Sequence, residues 1–486
     1  MGEISVVKAT NNKFTLIVIA AAIGGCSLMP SYERPVAPIP AVWPDSVQLK
    51  SGALTSGDWR KYFPDPRLQA LIAAALENNR DLRIATARIA EARAQYGIQH
   101  ADRFPSVNLT GSRAASLTPA SASITGSALH LQRNDAAFSL VSYELDFWGR
   151  VSSLDATAKA SYLSTEAARR AFRLSLIADV ANAYLSLLEM NERTQFAVET
   201  VRTRAETREL ISRRRELGVS GDLDFLQADG AYQAAIAERA NLERQQAAAE
   251  NLLNLLLGRS MAELKDLPAG RSLAEQGITS DIVAGLPAEV LLQRPDVMAA
   301  EQKLIASNAN IGAARAAFFP RISLTGSVGV ASGGLSGLFG ADNRAWSFQP
   351  VLSLPLFDAG RTSASVNVAE ARKVIAVAEY ERTIQQAFRE VADLLNARDK
   401  LSEQLAAQQA NAEIQKQRLR LVDARYKAGI ANHLELLDAQ RESFAADQGA
   451  TQVRRLWLSA STQLYKALGG EANEPAIKTT QEASAR

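Results

Sequence analysis

Arg103-Phe104-Pro105-Ser106-Val107-Asn108-Leu109-Thr110-Gly111-Ser112 is written a second time as Phe318-Phe319-Pro320-Arg321-Ile322-Ser323-Leu324-Thr325-Gly326-Ser327. Two further pairs extend the duplication. Leu145-Asp146-Phe147-Trp148-Gly149-Arg150 returns loosely as Leu356-Phe357-Asp358-Ala359-Gly360-Arg361. Arg215-Glu216-Leu217-Gly218, followed by Leu223 and Leu226, returns as Tyr426-Lys427-Ala428-Gly429, followed by Leu434 and Leu437. The later pairs share an offset of 211 residues and the first is offset by 215, so the loops between them differ by four. An internal repeat of this size sets the architecture before any single element is read.

Each copy reads helix, strand, loop, strand, very long helix, tight turn, helix. Arg150 to Leu217 and Arg361 to Ala428 are both 68 residues without glycine or proline. A continuous helix of that length rises ~100 Å at 1.5 Å per residue. Two matched copies point to a coiled-coil-like assembly rather than a globular core. Leu68, Leu71, Ala75, Leu82, Ala85, Ile89, Ala92 and Tyr96 fall on steps of three and four, interrupted at Asn78.

The strands alternate. Ile322, Leu324, Gly326, Val328 and Val330 share one face, and Ser323, Thr325, Ser327, Gly329 and Ala331 the other. Trp346, Phe348, Leu352, Leu354 and Leu356 alternate with Ser347, Gln349, Val351 and Ser353. The first copy is less regular, with Phe138, Leu140 and Ser142 against Ala137, Ser139 and Val141. Pro105 and Pro320 stand where a helix must end and a strand begin. The patterning fits lipid on one face and water on the other. Two hairpins supply four strands, whereas single-chain outer-membrane barrels need about eight. Several copies must therefore share one barrel. Three give twelve strands, although the count alone leaves two or four copies open.

The N-terminus carries Lys8 and Lys13, then the ten-residue apolar run Phe14 to Ile23, then Ile23-Gly24-Gly25-Cys26. The run is too short to span a bilayer and suits a secretory signal. Small residues before the chain's sole cysteine resemble a lipoprotein processing box, with Ile23 where leucine is usual. Ser27 follows, not the aspartate of an inner-membrane retention signal. Pro30, Pro35, Pro38, Pro40 and Pro44 mark an extended linker. No later apolar run reaches ~18 residues, so a membrane crossing is expected only as a closed barrel.

Charge is balanced, with 54 basic and 52 acidic residues, and gives no reason to expect a nucleic-acid partner. His100, His130 and His433 show no metal-ligand spacing, and one cysteine allows no internal disulfide. No G-x-S-x-G elbow and no H-E-x-x-H pair occurs, so no catalytic residue and no metal or cofactor is expected. A lipoprotein hydrolase is disfavoured on that ground. A soluble periplasmic scaffold would lack the alternating strand pairs.

Several segments then resemble the TolC-like outer membrane factors, in their OprM- and NodT-like lipoprotein branch. They are Cys26-Ser27-Leu28, Asp65-Pro66-Arg67-Leu68, Leu76-Glu77-Asn78-Asn79-Arg80-Asp81-Leu82, the Leu145–Arg150 motif and Gly285-Leu286-Pro287 with Leu291-Leu292-Gln293-Arg294-Pro295-Asp296. Asn310–Pro320, Arg425–Gly429, Leu437-Asp438-Ala439-Gln440-Arg441 and Leu464–Gly470 continue the match, which covers nearly everything from residue 26 to 470.

The resemblance implies a mainly α protein with a transmembrane β-barrel, namely a trimeric, twelve-stranded barrel over a periplasmic α-helical barrel. It implies a passive exit duct for drugs or other toxic compounds, hence multidrug resistance. A periplasmic adaptor and an inner-membrane, proton-driven resistance-nodulation-division transporter would be its partners. Protein secretion or metal efflux remains the alternative cargo pathway. The chain then divides into a signal peptide (1–25), a lipid anchor and linker (26–66), a first repeat (67–257; hairpin 104–148, turn near 218), an equatorial linker (258–287), a second repeat (288–470; hairpin 320–357, turn near 429) and a tail (471–486).

Residue by residue, the resemblance implies lipid (palmitate) on Cys26, anchoring the protein in the outer membrane. Leu434 and Asp438 match the ring of a closed periplasmic gate. Tyr426 and Arg441 match positions tying the inner helix to its neighbours, with Glu206 and Glu209 as candidate partners. Gln227 stands in the first repeat where Asp438 stands in the second, so a ring of three mutually repelling carboxylates is expected from the second repeat alone. The turns Gly218-Val219-Ser220 and Gly429-Ile430 are expected to face the adaptor.

Overall fold

The computed structural model describes residues 27–40, 58–124, 126–264, 267–278 and 288–470. Cys26, residues 1–25 and residues 471–486 lie outside the described residues. In chain order the elements are α1 (Trp59–Tyr62), α2 (Pro66–Asn78), α3 (Arg80–Ala101), β1 (Val107–Thr118), β2 (Leu129–Leu145), α4 (Arg150–Glu216) and α5 (Asp222–Leu257). There follow α6 (Pro295–Ala316), β3 (Arg321–Ser332), β4 (Arg344–Ser353), α7 (Arg361–Lys427) and α8 (His433–Ala467). The chain forms two compact units. Among the described residues, the first gathers 27–36, 88–166 and 299–380, and the second 37–87, 167–298 and 381–470.

The first unit is built on one antiparallel sheet in the order β1-β2-β3-β4, so β1 and β4 are its edges. The register pairs Val107 with Leu140, Phe138 with Val328, and Val328 with Trp346. The irregular alternation in the first copy has a cause. The β2–β3 register shifts between Leu140 and Tyr143, and Ser142 takes a φ of 52°. This bulge resets the phase, so Tyr143 and Leu145 rejoin the face of Phe138 and Leu140. β4 ends at Ser353, so Leu354 and Leu356 belong to the link into α7 rather than to the expected strand.

The duplicated Gly-Arg motifs are helix starts. The Asp146 carboxylate accepts from the amides of Val151 (3.0 Å) and Ser152 (2.7 Å). The Asp358 carboxylate accepts from Gly360 (3.0 Å) and Thr362 (2.8 Å). Each satisfies amides that a helix N-terminus leaves orphaned. Trp148 stacks on Phe319 at 4.7 Å and donates to the Pro320 carbonyl at 2.9 Å, joining the two copies at the foot of the sheet. Glu144 holds Arg150 at 2.7 Å and Arg321 at 2.6 Å beside it.

The second unit packs around a buried cluster that includes Trp59, Phe63, Leu68, Leu71, Ile72, Ile177, Val180, Leu185, Leu253 and Leu257. Burying each large apolar side chain contributes ~1.5–3 kcal/mol. α4 is the one described helix with an 18-residue stretch apolar enough to cross a membrane, at mean hydropathy 1.3. Half of that stretch is buried, and Leu176 to Met190 of α4 supply much of this core.

Asp65 is fully buried beside this core. It accepts from the amides of Arg67 (2.9 Å) and Arg271 (3.2 Å), the Tyr184 hydroxyl (3.0 Å) and the Gln276 amide nitrogen (2.9 Å). Burial and that carboxylate push the Tyr184 hydroxyl well above the ordinary phenol range. The expected stripe from Leu68 to Tyr96 is broken into two helices by Asn79. Its side chain caps α3 through the Leu82 amide (2.9 Å) and donates to the Leu256 carbonyl (2.9 Å). On α5, Ala228, Ala235, Leu242 and Ala249 are buried at seven-residue steps, the seam of a coiled coil.

Candidate functional site

The sheet of the first unit has two chemically distinct faces. Residues paired directly across strands project to the same side. One side carries Val107 and Leu109 from β1, Phe138, Leu140, Tyr143 and Leu145 from β2, Ile322, Leu324 and Val328 from β3, and Trp346, Phe348 and Leu352 from β4. Phe138, Val328, Trp346 and Phe348 are 58–78% exposed on the chain. Ile322 to Val330 spans ~27 Å along the strand at ~3.4 Å per residue, which at the ~40° tilt of membrane barrels rises ~21 Å, most of their ~25 Å apolar band.

The opposite side carries Asn108, Thr110, Ser112, Ser139, Ser323, Thr325, Ser327, Ser347, Gln349 and Ser353. Its charges are paired: Arg133 holds Asp135 at 2.8 Å, and Arg321 holds Glu144. One face is built for lipid and the other for water, and both edges are left open.

The N-terminal segment lies along α6 in the same unit. Asn308 donates to the Pro30 carbonyl at 2.8 Å. Arg34 grips Glu301 through two bonds of 2.6 and 2.8 Å, and the Tyr32 hydroxyl donates to Glu301 at 3.0 Å. Burial and that carboxylate push the Tyr32 hydroxyl up. Gly312 leaves the space that Met29 fills: a Cβ there would lie 2.8 Å from the Met29 Cα. Read backwards from Arg34 to Met29, the segment climbs α6 from Glu301 to Gly312, towards the end that feeds β3.

The second unit contains both helix reversals, built alike. Gly218 and Gly429 have φ of 72° and 74°. The Val219 amide donates to the Arg214 carbonyl and the Ile430 amide to the Arg425 carbonyl, both at 2.9 Å. These bonds close a helix C-terminus around a left-handed residue, the conformation for which glycine has no Cβ penalty. Val219 and Ile430 are each 70% exposed. Ser220 donates to Asp224 at 2.8 Å.

Leu434 is exposed, one helical turn from Asp438. Within one chain, Asp438 of the expected acidic ring is already paired with arginines. The Asp438 carboxylate accepts from Arg418 of α7 at 2.7 Å and from Arg441 at 2.9 Å, so its charge is countered within the chain. Arg441 also reaches Glu442 at 3.1 Å. Lys416–Asp447 (2.8 Å) and Arg425–Glu435 (3.1 Å) tie the same two helices. The Tyr426 hydroxyl accepts from Arg214 at 3.4 Å. Glu206 and Glu209 hold arginines of their own helix, Arg202 at 2.8 Å and Arg213 at 2.9 Å.

Sequence reasoning missed Arg418, Arg425 and Arg214. Arg418 and Arg425 carried a signal, because residues roughly equally far from a helical reversal face each other across it; Arg214 belongs to the other hairpin and carried none. No group of three metal-ligating side chains occurs among the described residues. Cys26 lies outside them.

Two regions of the chain, residues 71–259 and 286–470, match the family model described as outer membrane efflux protein. The antibiotic efflux pump outer membrane protein ArpC and the toluene efflux pump outer membrane protein TtgC, both of Pseudomonas putida, are each 42% identical over 480 residues. The match covers 98% of this chain and 99% of each relative. The crystal structure of the open state of the MtrE outer membrane channel of Neisseria gonorrhoeae superposes with a TM-score of 0.83 at 37% identity. It covers 92% of this chain and 99% of that one.

Proposed function

We propose, since this chain belongs to the outer membrane efflux protein family, that it is the outer-membrane exit duct of a tripartite pump and conducts small organic toxicants passively. The observation that carries the reading is the two-faced, four-stranded sheet with open edges. Its apolar face crosses most of a barrel's apolar band and its hydroxyl-rich face suits a water-filled lumen. Open edges are not tolerated in lipid, so copies must close one barrel, and three copies make it twelve-stranded. The names of the curated relatives favour antibiotics and apolar solvents as cargo over proteins or metals.

The anchor reading is supported by the segment from Met29 to Arg34. It leads the chain towards the β3 end of α6, where acyl chains on Cys26 would meet the bilayer beside the barrel. Each buried methylene would add ~0.8 kcal/mol of membrane affinity. The matched reversals, each presenting an exposed apolar residue at its tip, suit docking of a periplasmic adaptor. An inner-membrane, proton-driven resistance-nodulation-division transporter would supply the energy.

Expression in a bacterium deleted for its own exit duct, beside the cognate adaptor and transporter, tests the reading. Restored extrusion of a fluorescent dye is the expected result. Unchanged dye retention with correctly inserted protein would contradict it.

A further inference from the structure

We propose that His433 is a proton-operated release: protonating its imidazole frees the first turn of α8, and with it Leu434, from the resting arrangement of the second reversal. The inference rests on the channel reading above and adds a control to it.

His433 opens α8 immediately after the Asn432 cap, whose side chain accepts from the Glu435 amide at 2.8 Å. The imidazole is 7% exposed, and neither ring nitrogen has a hydrogen-bond partner. Its ring lies 6.0 Å from the Tyr426 ring of α7. The next turn of α8 packs Leu436 and Ala439 against Val422 of α7. A buried polar ring without a partner is costly, and a charged one far more so.

The charged groups around it do not offset that cost. Asp224 of α5 attracts a cation, but burial outweighs its pull and holds the imidazole below its ordinary value. The Asp224 carboxylate is already engaged by Ser220. Arg214 of α4 reaches Tyr426, the aromatic neighbour, and brings positive charge. Glu435, in the same first turn, is paired with Arg425. The positive end of the α8 dipole also opposes a cation at this position.

The sign follows. The imidazole titrates lower in the packed state than its ordinary value of ~6.5. The packed state therefore keeps its full advantage above about pH 6.5 and loses it as pH falls towards the lower value. A conformation that exposes His433 to water titrates ordinarily. It gains up to ~tenfold per pH unit per histidine within that window. Leu434 follows directly in sequence, so releasing the first turn moves the residue that the family resemblance places at the closed gate. Acidification of the compartment at this mouth thus favours the wide state.

Single-channel recording of the full-length protein at about pH 7.5 and about pH 5.5 tests this, with the threshold set by the linkage above. Wild type is expected to gain at least roughly threefold in open probability at the lower pH, and His433→Phe to stay flat. His433→Gln, polar but non-titrating, gives the same reading if the phenylalanine variant assembles poorly. A wild-type pH response retained by both variants, or no response in wild type, would overturn the proposal. A conducting channel without pH response fails this inference alone. A purified trimer that conducts at no pH fails the channel reading and this proposal with it.

Discussion

The Arg418 guanidinium donates to the Asp438 carboxylate across the second helical hairpin, Nη2 to Oδ2 at 2.7 Å. Both side chains are about 40% exposed (41% and 39%), so water screens the pair and it contributes ~0–1 kcal/mol. A pair of that strength suits a latch: it biases a resting state without locking it. Arg418→Ala should leave trimer yield unchanged and raise open probability by ~2–5-fold, the population equivalent of ~0.5–1 kcal/mol. Planar-bilayer recordings check this, and an unchanged open probability would remove the pair from the gate.

The combined change Leu434→Ala with Asp438→Ala should go further. It removes the leucine proposed to narrow the mouth and also leaves Arg418 and Arg441 without their shared carboxylate. Resting conductance should rise, and block by divalent cations should weaken because the mouth becomes more basic. Wild-type conductance together with undiminished block would place the constriction elsewhere on α8.

At the tips, Val219→Asp with Ile430→Asp should abolish dye extrusion while conductance in bilayers stays normal, because the change adds charge to exposed residues. Gly429→Ala tests the backbone alone: a Cβ at a φ of 74° costs ~1–2 kcal/mol. It should lower the thermal midpoint slightly without blocking extrusion. Full extrusion by the double aspartate variant would show that the adaptor docks elsewhere.

Neighbouring residues of β3 separate the two faces of the sheet. Val328→Arg places a charge in lipid and should cost ~2–4 kcal/mol near the midplane, seen as lost folded trimer. Ser327→Arg, one residue away and facing the lumen, should assemble normally and shift ion selectivity towards anions. Equal yields from the two would mean that the sheet does not face lipid as argued.

The N-terminal segment has its own test. Mass spectrometry of the mature protein should find Cys26 as the acylated first residue. Glu301→Gln, which takes the carboxylate from Arg34 and Tyr32, should cost ~1–3 kcal/mol locally and expose the segment to proteolysis without releasing the protein from the membrane. An unmodified N-terminus at any other residue would refute the anchor.

Much of this fold can be read from the duplication. Pro105 and Pro320 mark strand entry, and Gly218 and Gly429 mark reversals, because proline and glycine act through their own backbones. What escaped the reading depends on residues distant in sequence. The bulge at Ser142 is set by pairing with β3, almost two hundred residues away. Asn79 breaks a regular apolar stripe because its side chain finds an amide of its own helix and a carbonyl of α5. Asp438 reads as a free acid until the hairpin brings Arg418 opposite. The Leu145–Arg150 motif was visible as a repeat, but its role as a helix cap shows only when Asp146 meets the Val151 and Ser152 amides.

The shared barrel is the centre of the account, because a sheet of four strands has two open edges and no way to close alone. Native mass spectrometry of conducting, purified protein, with detergent stripped in the instrument, tests it most directly. A mass of three mature chains is the predicted result. A single chain that conducts, or a stable assembly of two or four, would contradict it.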